Sequence, residues 1–573
     1  MQYSLIKFPY KDSSHNGIKQ KMLKPVFFST IQNYTQKTLF SDLTAGLIVG
    51  IVALPLAIAF AIASGVPPEM GLITAVVIGF FVSFLGGSRV QIGGPSGAFI
   101  VVIYGIMQQF GLQGVVVASM MAGVILFIMG LLRAGSIIQF MPYPIVVGFT
   151  SGIALIIFTT QMQEFFGLPA NGIPGDPLGK WVYYFNHIRV INPLAAGMGL
   201  LTVLITLLSP KIYRRIPGSL VAIVVVTLLV NTLDLNLETI GSKFGEFSAS
   251  FRLADFSGVN LELINQLLVP AFTLAMLGAI ESLLSAIVAD GATGYRHRPN
   301  TELMAQGVAN MLSPLVGGMG GSGALAKTMT NLRNGGKTPL AGMFHAIILL
   351  LFMLFLGKLA MMIPLTALAG ILVVVAYNMS EWRSFRSILK SSRGEAAVLL
   401  TTFLLTILVG LNVALPFGII LALMLFVNRV METSEIEVLK HEVEDEKSHI
   451  SEDMETLDIP KGVEVFQIMG PFFFGIANKF EEAEKEIGEA PIIRILRMRR
   501  VPFIDSTGMK NLRSFYNRSR KHNTKILLSG VTPKAMRALI KEGLYDDIGK
   551  ENVCENIESA LDRAREVMRN QRQ

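Results

Sequence analysis

Charge is what this sequence has least of. Only 16% of its 573 residues are Asp, Glu, Lys or Arg, where a soluble protein carries about 25%. With 51% hydrophobic residues and a mean hydropathy of +0.54, the chain is not the string of soluble domains its length alone suggests. Cysteine is nearly missing. Cys554 is the single one, which excludes an internal disulfide scaffold and suits a reducing, cytosolic face. Also lacking are a nucleotide-binding loop, a metal-ligand cluster and a nucleophile–base pair, so no enzyme is expected. What is present instead is a series of long, almost uncharged apolar runs, the mark of bilayer spans.

The scarcity of charge is uneven. Residues 1–431 hold 26 Lys+Arg against 15 Asp+Glu, and residues 432–573 hold 23 against 26. About 10% of the first piece and about 35% of the second is charged, on either side of a soluble average. This divides the chain into a polar N-terminal segment (1–40), a membrane domain (41–431), an acidic linker with at most a short helix (432–459) and a soluble tail (460–573). The first 40 residues have lysines and no apolar core, so no cleavable signal peptide is expected.

The apolar runs suggest about fourteen segments, several too short to cross a bilayer alone, notably those opening near Ser96 and Ser322. With the N-terminus placed in the cytoplasm, the even-numbered connections hold thirteen Lys or Arg and the odd-numbered ones five. That obeys the positive-inside rule, and an even span count returns the tail to the cytoplasm. The net charge of +8 is then largely an orientation signal and does not point to nucleic acid.

Two of the short segments echo each other. Gly93-Gly94-Pro95-Ser96-Gly97-Ala98-Phe99 opens the third, and Gly320-Gly321-Ser322-Gly323-Ala324-Leu325-Ala326 opens the tenth. Glycine-interrupted short segments at matching places in two halves point to a transport site, and a spacing of seven segments makes the halves inverted. Two helix N-termini presenting unpaired N–H groups form a natural anion site. Close helix packing is the other reading of small residues in a membrane.

Glu281 lies in the middle of the eighth segment, where an unpaired carboxylate costs several kcal/mol. With Ser285 one turn on, it can hold Na⁺, or it can carry a coupling proton. The alternative is a buried salt bridge with Lys327 of the tenth segment. His345 reads as a satisfied packing residue.

Longer blocks carry a resemblance. Ala53-Leu54-Pro55-Leu56-Ala57, Gly65-Val66-Pro67-Pro68, Gly86-Gly87-Ser88-Arg89 leading to Gly94-Pro95, Val147-Gly148-Phe149-Thr150-Ser151-Gly152, Asn300–Asn310 and Gly336–Gly342 resemble the SulP family of sulfate permeases and related anion transporters. The resemblance runs from about Asp42 to the end. It implies two inverted seven-segment repeats, a core domain moving against a gate domain, and an anion held between the third and tenth helices. On this sequence the substrate shell is then Phe60, Ser96, Gly97, Ala98, Ser322, Gly323 and Ala326, with Glu281 and Ser285 as the Na⁺ or H⁺ site and Lys327 as a charge partner. Leu56 stands where many members have glutamine, and Lys327 where many have arginine, whose planar fork recognises oxyanions differently. No cofactor beyond the coupling ion is implied, and homodimers are usual in the family.

The tail alternates strand-like and helix-like runs: Val463–Met469, Phe480–Ile487, Ile492–Arg497, Met509–Arg520, Lys525–Leu528, Pro533–Lys541 and Asn556–Met568. It reads as a small α/β domain. Ile504-Asp505-Ser506-Thr507-Gly508 resembles the signature loop of STAS domains, which implies a regulatory phosphosite at Ser506 and a cytoplasmic protein partner. The plainer reading has Ser506 and Thr507 capping the following helix. The basic run Arg494–Arg500 is either a contact with anionic lipid or an ordinary strand end.

The expected function is secondary active transport of a small oxyanion (sulfate, bicarbonate or a dicarboxylate) by alternating access across the cytoplasmic membrane, driven by Na⁺ or H⁺. The rivals are an uncoupled exchanger or channel, a nucleobase carrier on the same fold, and a membrane sensor signalling through its tail.

Overall fold

The computed structural model describes residues 24–138, 141–169, 172–212, 217–245, 251–432, 435–439, 458–473 and 491–572. It divides into two compact units, one ending at Ala422 and the other beginning at Leu423.

Each of the fourteen expected segments has its helix. The first repeat holds α1 (Gln36–Ala63), α2 (Pro68–Leu85), α3 (Gly97–Leu131), α4 (Tyr143–Phe166), a short α5 (Pro177–Asn186), α6 (Pro193–Ile212) and α7 (Gly218–Thr232). The second holds α8 (Leu261–Thr293), α9 (Pro299–Leu315), α10 (Leu325–Arg333), α11 (Pro339–Ala360), α12 (Leu365–Met379), a short α13 (Trp382–Leu389), α14 (Arg393–Leu408) and α15 (Leu411–Glu432). Among the described residues, nine helices are long and apolar enough to cross a membrane. The third and fourth segments are the two arms of α3, bent at Gly111, whose φ of +64° only glycine adopts freely.

Packing sorts these helices into two groups. In one, α3 lies against α8 and α9, and α11 against α1 and α2. In the other, α4 packs on α12 and α14, and α6 on α7 and α12. Close approach is built in with small residues: a Cβ added to Gly123 of α3 would lie 2.7 Å from the Gly307 carbonyl of α9, and one on Gly307 2.7 Å from that of Gly123.

The second unit is a five-stranded sheet in the order β3 (Glu435–Leu439), β4 (Val463–Met469), β5 (Ile493–Arg500), β6 (Lys525–Ser529), β7 (Val553–Cys554). The last four strands are parallel neighbours and β3 is antiparallel to β4. Among the described residues the unit also holds helices α16 (Ser506–Lys521), α17 (Pro533–Lys541), α18 (Leu544–Ile548) and α19 (Ile557–Arg572). One layer of core joins Phe466, Leu496, Leu512 and Phe515, and the other joins Val465, Ile495, Leu527 and Leu561.

Three tail readings change. Strand β3 falls inside the stretch read as acidic linker, because two β-branched residues, Ile436 and Val438, alternate there and pair with β4. The basic run is β5, an interior strand, where Arg494 is buried against Glu464 at 3.4 Å and against the Phe515 ring. The cap of α16 is Asp505, whose Oδ1 accepts from the Gly508 amide at 2.7 Å. Asp reaches that amide from the preceding turn, so Ser506 sits exposed at the first helical position instead of capping it. The run Phe480–Ile487 lies outside the described residues.

Candidate functional site

The two glycine-rich breaks meet. Strand β1' (Gly93–Gly94) pairs antiparallel with β2' (Ser322–Gly323), Gly93 opposite Gly323 and Gly94 opposite Ser322. Helix α3 starts three residues after β1', and α10 two residues after β2'. Glycine is required by space as much as by backbone. A Cβ on Gly323 would fall 1.6 Å from Gln91 Nε2, and one on Gly94, whose φ is +148°, would fall 2.7 Å from Lys327 Nζ.

Helix α8 runs past this pair and presents Glu281. Its Oε2 accepts hydrogen bonds from the Ser96 hydroxyl and, at 2.5 Å, from the Ser322 hydroxyl. Ser96 is also the N-cap of α3, its Oγ accepting from the Ala98 amide at 3.3 Å. Ser282 continues the attachment: its Oγ accepts from the Gly323 amide at 2.9 Å, and its carbonyl accepts from Gln91 Nε2 at 3.1 Å. One acid on α8 therefore joins both half-helix openings.

The other expected residues divide. Ser96 and Ser322 meet at Glu281, and Gly97, Ala98 and Gly323, next to them in the chain, are buried. Lys327 is buried and within electrostatic reach of Glu281, but it forms no ion pair with it; its Nζ donates to the Pro95 carbonyl at 3.2 Å. Ser285 turns to α10 instead, donating to Thr328 Oγ1 at 3.2 Å. Phe60 is buried on α1, a helix that packs against both α3 and α10, while Ala326 is exposed on the first turn of α10. Gly97 faces α12: a Cβ there would lie 2.6 Å from Met379 Sδ. His345 is fully buried on α11 beside Gly79, where an added Cβ would lie 3.1 Å from its Nδ1.

Sequence reasoning missed the frame behind the site. Glu302, Gln306, Asn310 and Ser313 form a buried polar stripe along α9. Glu302 Oε2 accepts from the Gly87 and Ser88 amides at 2.9 and 3.1 Å, fixing the loop before β1'. Asn310 accepts from the Gly321 amide and donates to its carbonyl, both at 2.9 Å, fixing the loop before β2'. Ser313 donates to Met319 O at 2.8 Å. The signal in the sequence is the fourfold spacing of Glu302, Gln306 and Asn310, which puts them on one helix face. Asp42 is a second missed residue, a fully buried carboxylate that receives the Lys337 amide at 2.7 Å and the Thr338 hydroxyl at 2.5 Å.

Chemically, the arrangement sets a carboxylate and two hydroxyls at the point where two helix N-termini converge. Hydroxyl and carboxylate oxygens are the ligand type of hard cations, and helix N-termini attract anions. Such a place can receive a cation or proton on one side and an anion on the other.

Residues 39–402 match the sulfate permease family, and residues 456–560 match the STAS domain. The putative sulfate transporter YvdB of Bacillus subtilis is 36% identical over 92% of this chain and 98% of its own length. The bicarbonate transporter BicA of Picosynechococcus sp. is 30% identical over 91% of this chain and 94% of its own. In fold, the chain is similar to the structure of the murine Solute Carrier 26 family member A9 anion transporter in the inward-facing state, with a TM-score of 0.84 at 18% identity, covering 97% of this chain and 96% of that one. The relatives are transporters and not enzymes, and the chain is a multi-pass membrane protein with a C-terminal STAS domain.

Proposed function

The chain belongs to the sulfate permease family, and we propose that it carries a small oxyanion of the sulfate or bicarbonate class by alternating access, with uptake driven by Na⁺ or H⁺ at Glu281. One observation carries the reading: Ser96 and Ser322, at the openings of the two half-helices, both hydrogen-bond the same Glu281 oxygen. The anion occupies the helix openings lined by Phe60, Ser96, Gly97, Ala98, Ser322, Gly323 and Ala326, and Lys327 offsets its charge. Loading Glu281 with Na⁺ or a proton removes a negative charge beside that anion. A driving ion is needed because about 2.3 kcal/mol per elementary charge per 100 mV opposes uncoupled entry of an anion into a negative-inside cell.

The same reading puts the protein in the cytoplasmic membrane with both termini in the cytoplasm, as a homodimer, with no cofactor besides the coupling ion. Ser506, exposed on α16, is the site at which phosphorylation would add charge to the tail and alter its partners.

The test is uptake of labelled sulfate or bicarbonate into proteoliposomes with imposed Na⁺ or proton gradients. Uptake rises with the gradient of the coupling ion in the native protein, and Glu281→Gln loses that dependence. Undiminished gradient-dependent uptake by Glu281→Gln refutes the coupling role. Current without any cation gradient identifies a channel or exchanger instead.

A further inference from the structure

Away from Glu281, the loop before β1' and the loop before α9 enclose a second polar concavity. It is a cavity of about 90 Å³, lined by Ser29, Ser88, Arg89, Asp290, Arg296 and Arg298 among others. Pockets for organic ligands run to about 300–1,000 Å³, so this one has room only for a small ion or a headgroup.

Its charge is unbalanced. Asp290 is already engaged, its Oδ2 lying 2.7 Å from His297 Nδ1 and accepting from the His297 amide at 2.9 Å. Arg89, Arg296 and Arg298 make no ion pair among the described residues. The Arg89 guanidinium is held over the Tyr295 ring, 3.7 Å from its centroid, and Arg298 donates to the Lys24 carbonyl at 2.5 Å. Burial first, and the neighbouring Arg89 charge second, pull the Arg298 guanidinium below its usual range. Two fixed guanidinium groups repel each other here with no free acid between them among the described residues, an arrangement that a multiply charged oxyanion relieves. The amides of Gly87 and Ser88 are taken by Glu302, and the Ser29 hydroxyl donates to the Val26 carbonyl at 2.7 Å, which leaves the arginine forks and the Ser88 hydroxyl as the recognising groups.

We propose that Arg89, Arg296 and Arg298 form a binding site for a phosphate-class oxyanion, distinct from the transport site. The ligand is either free inorganic phosphate or the phosphomonoester headgroup of an anionic lipid. An anion held by Arg89 and Arg298 ties the loop that feeds β1' to the start of α9, whose Glu302 grips the same loop from the other side.

The experiment uses the full chain in neutral detergent with the additional substitution Ser96→Phe, which is intended to block the transport site. Thermal stabilisation is titrated at fixed ionic strength with inorganic phosphate in one arm, and with dioctanoyl phosphatidic acid against dioctanoyl phosphatidylcholine in the other. Saturable stabilisation is expected, weakened at least tenfold by Arg89→Gln or Arg298→Gln and unchanged by Lys358→Gln. Response to phosphate identifies a free-ion site, and response to phosphatidic acid alone identifies a headgroup site. No saturable response in either arm, or one that the arginine variants leave unchanged, overturns the proposal. If Arg89→Gln and Arg298→Gln fail to fold, Arg296→Gln at the exposed rim carries the same comparison. The comparison between arginine variants holds even if Ser96→Phe leaves the transport site open, so it fails or succeeds independently of the transport reading.

Discussion

Ser96 and Ser322, from opposite halves of the chain, donate to the same oxygen of Glu281. Their effects are therefore coupled. In a double-mutant cycle of Ser96→Ala and Ser322→Ala, read as the driving-ion concentration that gives half-maximal uptake, the interaction energy should exceed about 0.5 kcal/mol. Additivity within about 0.3 kcal/mol would show that the two hydroxyls act separately.

Gly323→Ala should be severely destabilising, because its Cβ would meet Gln91 Nε2 at 1.6 Å while that amide is tied to the Ser282 carbonyl. Overpacking of this kind costs about 3 kcal/mol. Adding Gln91→Ala should restore part of the melting temperature in detergent. A double variant no more stable than Gly323→Ala alone would place the clash elsewhere.

Asn310→Leu leaves the buried amide and carbonyl of Gly321 without partners. The expected cost is about 2 kcal/mol or more, with faster amide exchange at Gly321. A melting temperature equal to that of the native protein would mean that the loop before β2' does not depend on α9.

In the tail, Asp505→Ala removes the cap of α16 and should cost about 1 kcal/mol, with faster exchange of the Gly508 amide. Ser506→Ala, at an exposed position, should leave that amide unaffected. The reverse ranking would restore Ser506 as the cap.

Burial raises the Cys554 thiol above its ordinary range, although Arg563 opposes the shift. At neutral pH less of it is thiolate than in a free cysteine, and the thiolate fraction grows only as pH approaches the raised value. Maleimide labelling at pH 7.5 should be several-fold slower than that of glutathione and should accelerate with pH and on denaturation. Labelling as fast as glutathione would show the thiol to be open.

Much of the fold was legible because hydropathy and periodicity are local. The segment from 68 to 85 and the strand Val463–Met469 were marked by their own apolar content. The half-helices were legible because glycine clusters break segments in a recognisable way. Glu302 and Asp42 were not. A carboxylate near a segment end looks solvated in a sequence, and only the fold shows backbone amides from distant loops closing over it. The bond from Ser285 to Thr328 was not legible either: sharing a helix face with Glu281 does not decide which neighbouring helix that face meets.

By itself, the sequence determined the division into a charge-poor membrane body and a charge-rich tail, the approximate number of segments, the paired helix breaks and the mid-segment Glu281. These follow from desolvation and backbone chemistry, which act over a few residues. Only the tertiary structure decided that Gly93 and Gly323 pair, that Ser96 and Ser322 share the Glu281 oxygen, and that Lys327 answers to Pro95 instead of forming an ion pair. Those outcomes depend on distances of a few ångströms between elements far apart in the chain, and such distances are set by how whole helices pack.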